Sequence, residues 1–511
     1  MEVVRNKEKE IIEDLRPIVI LEPGKLPQVI DTMEAILVES DCNIYVQNER
    51  IVKISNTGSD NKIKRESNSL SLVSENSNHL AEIITKKARC LKYDSRSNSH
   101  KEVDCSRRYS DGILSRGGDS TFRPLTGLLQ SPSLRIDGTI IDKPGYDKES
   151  GLYLTPSIPD DYRSPPPIVD RKSAETALNI LMDTGLEFPF VSDSDKSAYI
   201  SGIITALVRR SLPAAPLIAI TSSTPGSGKS TLGDVIAIIA TGKRSPVLSQ
   251  GSDQNETDKR LSSALMSGDQ IIMIDNIEKP LHGDLLCQAT TQPQLRLRPL
   301  GSPNLLTVPT NSLLMANGNN LYVKGDMRRR VKVIRLDPQM ERPEQRKFNK
   351  EILKYVKKHR GALIKAALSL PLAYKAAGYP NVNVPTYGGF SEWERWCRFP
   401  LIWLGLPDPL LASESLRELD PDMQNQRQLF AAWYELFKSE RLTANQAIHR
   451  GNNDLQEIFQ IVTADHTSSR RLGNWLKRHK GKIVDGLKLE SDMDTHKKVQ
   501  QWYIDKCGVC V

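Results

Sequence analysis

The stretch PLIAITSSTPGSGKSTLGDVIAIIA, from Pro216 to Ala240, decides how this chain is read. Leu217–Thr221 is a short apolar run with strand character, and Ser222–Gly228 is a loop of small residues. From Lys229 onward, Leu232, Val235, Ile236 and Ile239 recur at helical spacing. Strand, glycine-bearing loop and helix in that order make a phosphate cradle. The glycines let successive backbone N–H groups turn toward one anion, and the helix N-terminus adds positive potential. Gly226 and Gly228 supply the curl, and Thr224, Pro225, Ser227 and Thr231 complete the loop and the first helical turn. Lys229 would reach the outer phosphates of ATP, and Ser230 would offer its hydroxyl to Mg²⁺. The spacing G-x-x-x-x-G-K-[ST] is met except at its first position, where Ser223 stands. An ordinary glycine-rich turn is the alternative, and the flanking strand and helix weigh against it.

Downstream, QIIMIDNIE (270–278) is a second apolar run ending on Asp275, the place from which a carboxylate holds Mg²⁺ directly or through water. The next position usually carries a glutamate that polarises the attacking water; here it is Asn276, with Glu278 or Glu256 as substitutes. A third strand, NSLLMA (311–316), runs into Asn317, Gly318, Asn319 and Asn320, where an amide beside the cradle would sense the terminal phosphate. An Asn-Gly turn is the plainer reading of that stretch. GDMRRRVKVIRLD (325–337) then places Arg329 and Arg330 before an alternating strand. Their planar forks suit the charge on a transferred phosphoryl group, although a solvated basic run has the same appearance.

Around this centre, residues 16–54 read as a small α/β unit and 55–118 as a polar linker or insertion, although LAEIITKKARCLKYD suits a helix and strand. Residues 119–172 read as a β-meander and proline-rich hinge, 173–340 as an α/β core and 341–440 as a helical lid block. The aromatic stripe of FSEWERWCRFPLIWLGL (390–406) is taken as packing rather than a base-stacking surface.

The region 441–511 suggests a winged-helix-like module. Thr467 or Ser468 caps a helix whose apolar stripe is Leu472, Trp475 and Leu476, with Arg470, Arg471, Lys477, Arg478 and Lys480 around it. A hairpin follows, turning at Asp485–Gly486. Such a basic helix suits DNA, with a protein-docking module as the alternative. The net charge of +8 is compatible with a polyanionic partner. No apolar run is long enough to span a membrane. The charged opening MEVVRNKEKEIIEDL is unlike a secretory leader, and seven irregularly spaced cysteines argue against a disulfide framework, so a cytoplasmic protein is expected. Cys507 and Cys510 form one C-x-x-C, too little for a zinc site.

The order of these motifs resembles AAA+ ATPases of the superfamily 3 helicase kind. More closely, the chain is similar to phage and mobile-element proteins labelled DNA primase or replicative helicase. The resemblance runs through RIDGTIIDKPGYDKESGLY (135–153), EFPF (187–190), SGKSTLGDVIAIIATGK (227–243), DKRLSSALMSGDQIIMIDN (258–276), NGNNLYVKGDMRRRV (317–331), ERPEQRKF (341–348) and FSEWERWCRFPLIWLGLPDP (390–409). It implies ATP and Mg²⁺ at Lys229, Ser230 and Asp275, a sensor at Asn319 and a finger at Arg329–Arg330 acting on a neighbouring subunit. A homo-oligomeric ring, a hexamer, follows from that finger. The expected function is an ATP-dependent DNA helicase or translocase in replication of such an element. The alternative is a DNA-binding AAA+ switch, an initiator or loader that does not unwind. Residues 1–170 carry no clustered carboxylates or zinc module for primer synthesis.

Overall fold

The computed structural model describes residues 14–58, 68–301, 303–346, 348–418, 421–463, 466–494 and 499–507, which fall into two compact units. The first takes in the described residues of Met1–Leu321 and Arg329–Ala412, the second those of Tyr322–Arg328 and Ser413–Val511.

The first unit opens with the strand Ile18–Ile20 and the helix Leu26–Glu39. The hairpin Ile44–Gln47/Arg50–Gly58 follows. Its turn residues Asn48 and Glu49 both have left-handed φ, as a tight two-residue hairpin requires. Where composition suggests a linker over 55–118, the residues from 68 onward are instead built into the fold. Asn68–Ser74 extends the hairpin sheet, and Arg89–Asp94 pairs with both Ile18–Ile20 and Ser99–Val103. The helices Ser77–Lys87 and Arg107–Arg116 each present a narrow apolar edge, Leu80 and Ile84 on one and Ile113 on the other, to a core shared with Val19, Ile30, Met33 and Leu37. A polar composition with one buried edge per element explains why the segment reads as unstructured. Residues 119–172 also differ from a plain meander, because Gly127–Leu129 pairs parallel with Leu152–Leu154.

The centre of the unit is a five-stranded, wholly parallel sheet. In chain order its strands are β1 (Leu217–Ser222), β2 (Val247–Ser249), β3 (Ile271–Asp275), β4 (Leu313–Asn319) and β5 (Val331–Leu336). Across the sheet the order is β2-β3-β4-β1-β5. The helices around it are α1 (Arg171–Asp183), α2 (Asp193–Val208), α3 (Lys229–Thr241), α4 (Gln254–Ser267) and α5 (Asp284–Thr291). They are followed by α6 (Ile352–Lys358) and α7 (Arg360–Ala376). β1 is buried at every position, and α2 and α3 are buried nearly all round, so these elements read as continuous apolar runs. Phe390, Trp393, Trp396, Cys397 and Leu401 join this core, with the Trp393 indole N–H donating to Thr205 Oγ1 at 2.9 Å. The aromatic stripe is packing.

In the second unit, α8 (Pro421–Phe437), α9 (Ala444–Arg450), α10 (Asn453–Val462) and α11 (Ser469–His479) precede three antiparallel strands. These are β6 (Ile483–Val484), β7 (Leu487–Asp494) and β8 (Val499–Lys506). Asp485 and Gly486 turn β6 into β7 with φ of 49° and 76°. Leu429, Phe430, Trp433 and Phe437 of α8 share one core with Leu455, Phe459, Leu472, Trp475, Leu476, Trp502 and Ile504. A boundary at 441 would cut through that core. The helical block expected over 341–440 therefore divides, and α8 belongs with the C-terminal elements. Among the described residues, no helix is long and apolar enough to cross a membrane, and no group of three or more His, Cys, Asp or Glu side chains could hold a metal ion. Cys510, half of the C-x-x-C, lies outside the described residues.

Candidate nucleotide site

The loop between β1 and α3 closes over its own backbone because Gly226 and Gly228 take φ of 72° and 95°, where a side chain would be strained. The N–H groups of Gly226, Ser227 and Gly228 donate to nothing among the described residues, leaving three consecutive donors at a helix N-terminus. Thr224 Oγ1 is also buried without a partner. Pro225 is exposed and Thr231 half-buried in the first turn of α3. This inventory of unpaired donors fits an anion with several oxygens.

Lys229 stands at the start of α3. Its ammonium donates to Thr224 O and Ser227 Oγ at 3.0 Å and to Asn319 Oδ1 at 2.7 Å. Burial holds it below the ordinary lysine value, and the negative charge of Asp275 opposes that shift. Asn319 reaches the lysine because β4 lies beside β1, with Ser222 opposite Asn319 in the ladder.

Asp275 ends β3, on the far side of β4 from the loop. Asn317 bridges the gap. Its Nδ2 donates to Ser230 Oγ at 3.3 Å, and its Oδ1 accepts from the Asn276 N–H at 3.0 Å. The backbone repeats the link, with Ile277 N–H donating to Asn317 O at 2.8 Å. The two strand ends approach so closely that a side chain on Gly318 would start 2.5 Å from Ile277 O. Asn276 has left-handed φ, and its Nδ2 donates to Glu278 Oε1 at 3.1 Å. Glu256, the other acidic candidate, sits in α4 and pairs with Arg260 at 3.1 Å.

The structure therefore gathers Thr224, Ser227, Lys229, Ser230, Asp275 and Asn319 in one place, with Glu278 tethered nearby through Asn276. It separates the two arginines. Arg330 Nη1 donates to Cys287 O at 3.2 Å and to Thr291 Oγ1, so it caps the C-terminal end of α5 within its own chain. Arg329 is exposed. Two contacts escape sequence reading. Asn317 is named there only among the candidate sensor amides, and its bridging place needs β4 to lie between β1 and β3. Glu344 is remote in sequence, yet its backbone N and Oε2 lie 3.3 and 3.4 Å from where a side chain on Gly226 would begin.

In the second unit, Leu472, Trp475 and Leu476 face the core, and Arg470, Arg471, Lys477 and Arg478 are exposed on α11. Ser468 caps the helix by accepting from Arg471 N–H at 3.2 Å. Lys480, just past the helix end, is exposed and donates to Ser491 O at 3.2 Å.

No protein-family model matches the chain, and no curated protein matches it. Among solved structures, it is similar to the apo A form of the NrS-1 C-terminal region, residues 305–718, at 11% identity, with 94% of this chain and 100% of that chain covered and a TM-score of 0.41. It is also similar to JCV helicase at 12% identity, with 51% of this chain and 72% of that chain covered and a TM-score of 0.21. Likenesses this loose assign no role to any residue here.

Proposed function

We propose that this chain is an ATP-driven DNA helicase or translocase, working as a ring of identical subunits in the replication of a phage or mobile element. The observation that carries the reading is the bond from Lys229 to Asn319, together with the Asn317 bridge from Ser230 to the Asp275 turn. These join a phosphate cradle, a candidate metal ligand pair and a candidate sensor through adjacent strands. A glycine-rich turn without a ligand has no need of such a linkage.

On this reading the unpaired N–H groups of Gly226–Gly228 bind the phosphates, and Lys229 exchanges its protein oxygen partners for phosphate oxygens. Mg²⁺ held by Ser230 and Asp275 would neutralise phosphate charge. Asn319 couples the terminal phosphate to β4, and Asn317 keeps Ser230 and the Asp275 turn in register. Glu278, tethered by Asn276, is the candidate base that orients water. The Arg329–Arg330 pair, of which Arg329 is exposed, is the candidate for a finger reaching a neighbouring subunit. DNA contact falls to α11, whose apolar side is used by its own core and whose four exposed basic residues, with Lys480 just past its end, are left outward.

The second reading, a DNA-binding switch, is favoured by Asn276 at the place of the usual glutamate. Strand displacement on a forked duplex separates the two. The helicase reading expects ATP-dependent unwinding by the parent and none by Lys229→Ala. ATP turnover and DNA binding without unwinding would move the assignment to the switch.

A further inference from the structure

The segment RIDGTIIDKPGYDKESGLY (135–153) takes no part in the nucleotide site, and it walls a separate cavity of about 350 Å³. Two tight turns shape the segment. Gly138 N–H donates to Arg135 O at 2.9 Å, and Gly151 N–H donates to Asp147 O at 2.9 Å. Arg135 clasps the turns together, its guanidinium donating to the two Asp147 oxygens at 3.0 and 2.5 Å. Arg210 and Ser211, just past α2, line the same cavity. The strand Gly127–Leu129, paired with Leu152–Leu154, leaves room for Arg210 by having no side chain at Gly127; one there would start 3.1 Å from Arg210 Nη1. Ile136 and Leu152 supply aliphatic wall.

The buried and exposed ends of this cavity differ in charge. Arg210 is 5% exposed, and its guanidinium donates to Asn311 Oδ1 and Gly268 O, both neutral acceptors. Burial pulls it down to about 10, with the charge of Asp269 opposing that shift. Among the described residues, Arg210 Nε and Ser211 Oγ are buried with no hydrogen-bond partner. A buried donor left unmatched is costly, and a water would match it without answering the charge. The mouth is the reverse. Asp137 and Glu149 are exposed there, and Glu149 shares Arg135 with Asp147. Both Thr139 donors go to Oδ1 of Asp137, and Lys375 donates to the Asp137 main-chain carbonyl at 2.6 Å. Three carboxylates thus stand beside two cations. A ligand that suits both ends is dipolar, with its anion inward and its cation outward. We infer that this cavity binds a zwitterion of the α-amino-acid class, its carboxylate taken by Arg210 and Ser211, its ammonium by Asp137 and Glu149, and an aliphatic side chain laid against Ile136 and Leu152. The inference does not depend on the nucleotide reading of the loop.

Titration calorimetry on the full chain tests this with L-leucine, with isocaproate, which lacks the ammonium, and with isopentylamine, which lacks the carboxylate. Leucine should bind saturably, and each analogue should bind at least about tenfold more weakly, the worth of one charged, hydrogen-bonded end. Ser211→Ala removes a hydroxyl that has no partner among the described residues, and Glu149→Gln alters an exposed side chain, so both variants should melt like the parent. Each should weaken leucine by about tenfold. Absence of saturable leucine binding at millimolar concentration would overturn the proposal. Isocaproate binding as tightly as leucine would remove the ammonium contact, and isopentylamine binding as tightly would remove the carboxylate contact; either result overturns a dipolar ligand. Parent-like leucine affinity in both variants would place the ligand elsewhere and overturn the site.

Discussion

Lys332, on β5, is buried in the first unit's core. Its ammonium donates to Ser201 Oγ at 2.9 Å and stands 5.3 Å from the centre of the Trp393 ring, with the Cys397 thiol nearby. Burial pulls it down to about 7 from the ordinary 10.5. Between those values the unfolded chain binds a proton that the folded chain does not, so stability rises with pH across that window and the cost is fully present below it. Lys332→Met should therefore raise the urea midpoint at pH 7, by on the order of a few kcal/mol in stability, and the gain should fade toward pH 10. An equal effect at both pH values would mean the group is not titrating in the fold. Such a lysine looks like any alternating strand position in VKVIRL, so its burial is not legible. The loop geometry at Gly226, Gly228 and Lys229 is legible because it is set locally. The bridge that Asn317 makes and the approach of Glu344 are not, because they depend on which strand and loop lie alongside.

At the scale of elements, α11 makes the sharpest prediction. Its apolar residues face the core, and Arg471 and Arg478 lie one heptad apart on the outward side. Each phosphate they neutralise should contribute about −0.9 to the slope of log affinity against log salt on duplex DNA. Arg471→Ala with Arg478→Ala should flatten that slope by up to about two and weaken binding, with basal ATP turnover unchanged. An unchanged slope would favour protein docking, and attention would pass to the hairpin Gln294–Leu297/Leu306–Pro309, where Arg296 and Arg298 are exposed. Long buried elements such as β1 and α3 are legible because their apolar pattern persists over many residues. The helix Arg107–Arg116 is not, since Ile113 alone carries its apolar contact, whereas Ser77–Lys87 shows through in LAEIITKK. The boundary near 413 is also hidden, because α8 looks the same whichever core its apolar face joins.

For the whole molecule, the proposal requires one subunit to complete its neighbour's site. Arg329→Ala should spare ATP binding and lower turnover in the assembled state by about 10³-fold. Mixed with Lys229→Ala, it should recover part of the activity, because some interfaces then hold both intact halves. No recovery with proven subunit exchange would count against a finger in trans. The same substitution at Arg330 should loosen α5 instead, since that guanidinium is bound to Cys287 O and Thr291 Oγ1 of its own chain. All of these roles stand on nucleotide binding at the loop before α3. Its most direct test is equilibrium binding of ATP with Mg²⁺ to the parent and to Lys229→Ala, with circular dichroism to show that both are folded. Saturable binding by the parent and its loss in the variant are expected, and equal binding by both folded proteins would contradict a nucleotide site at this loop.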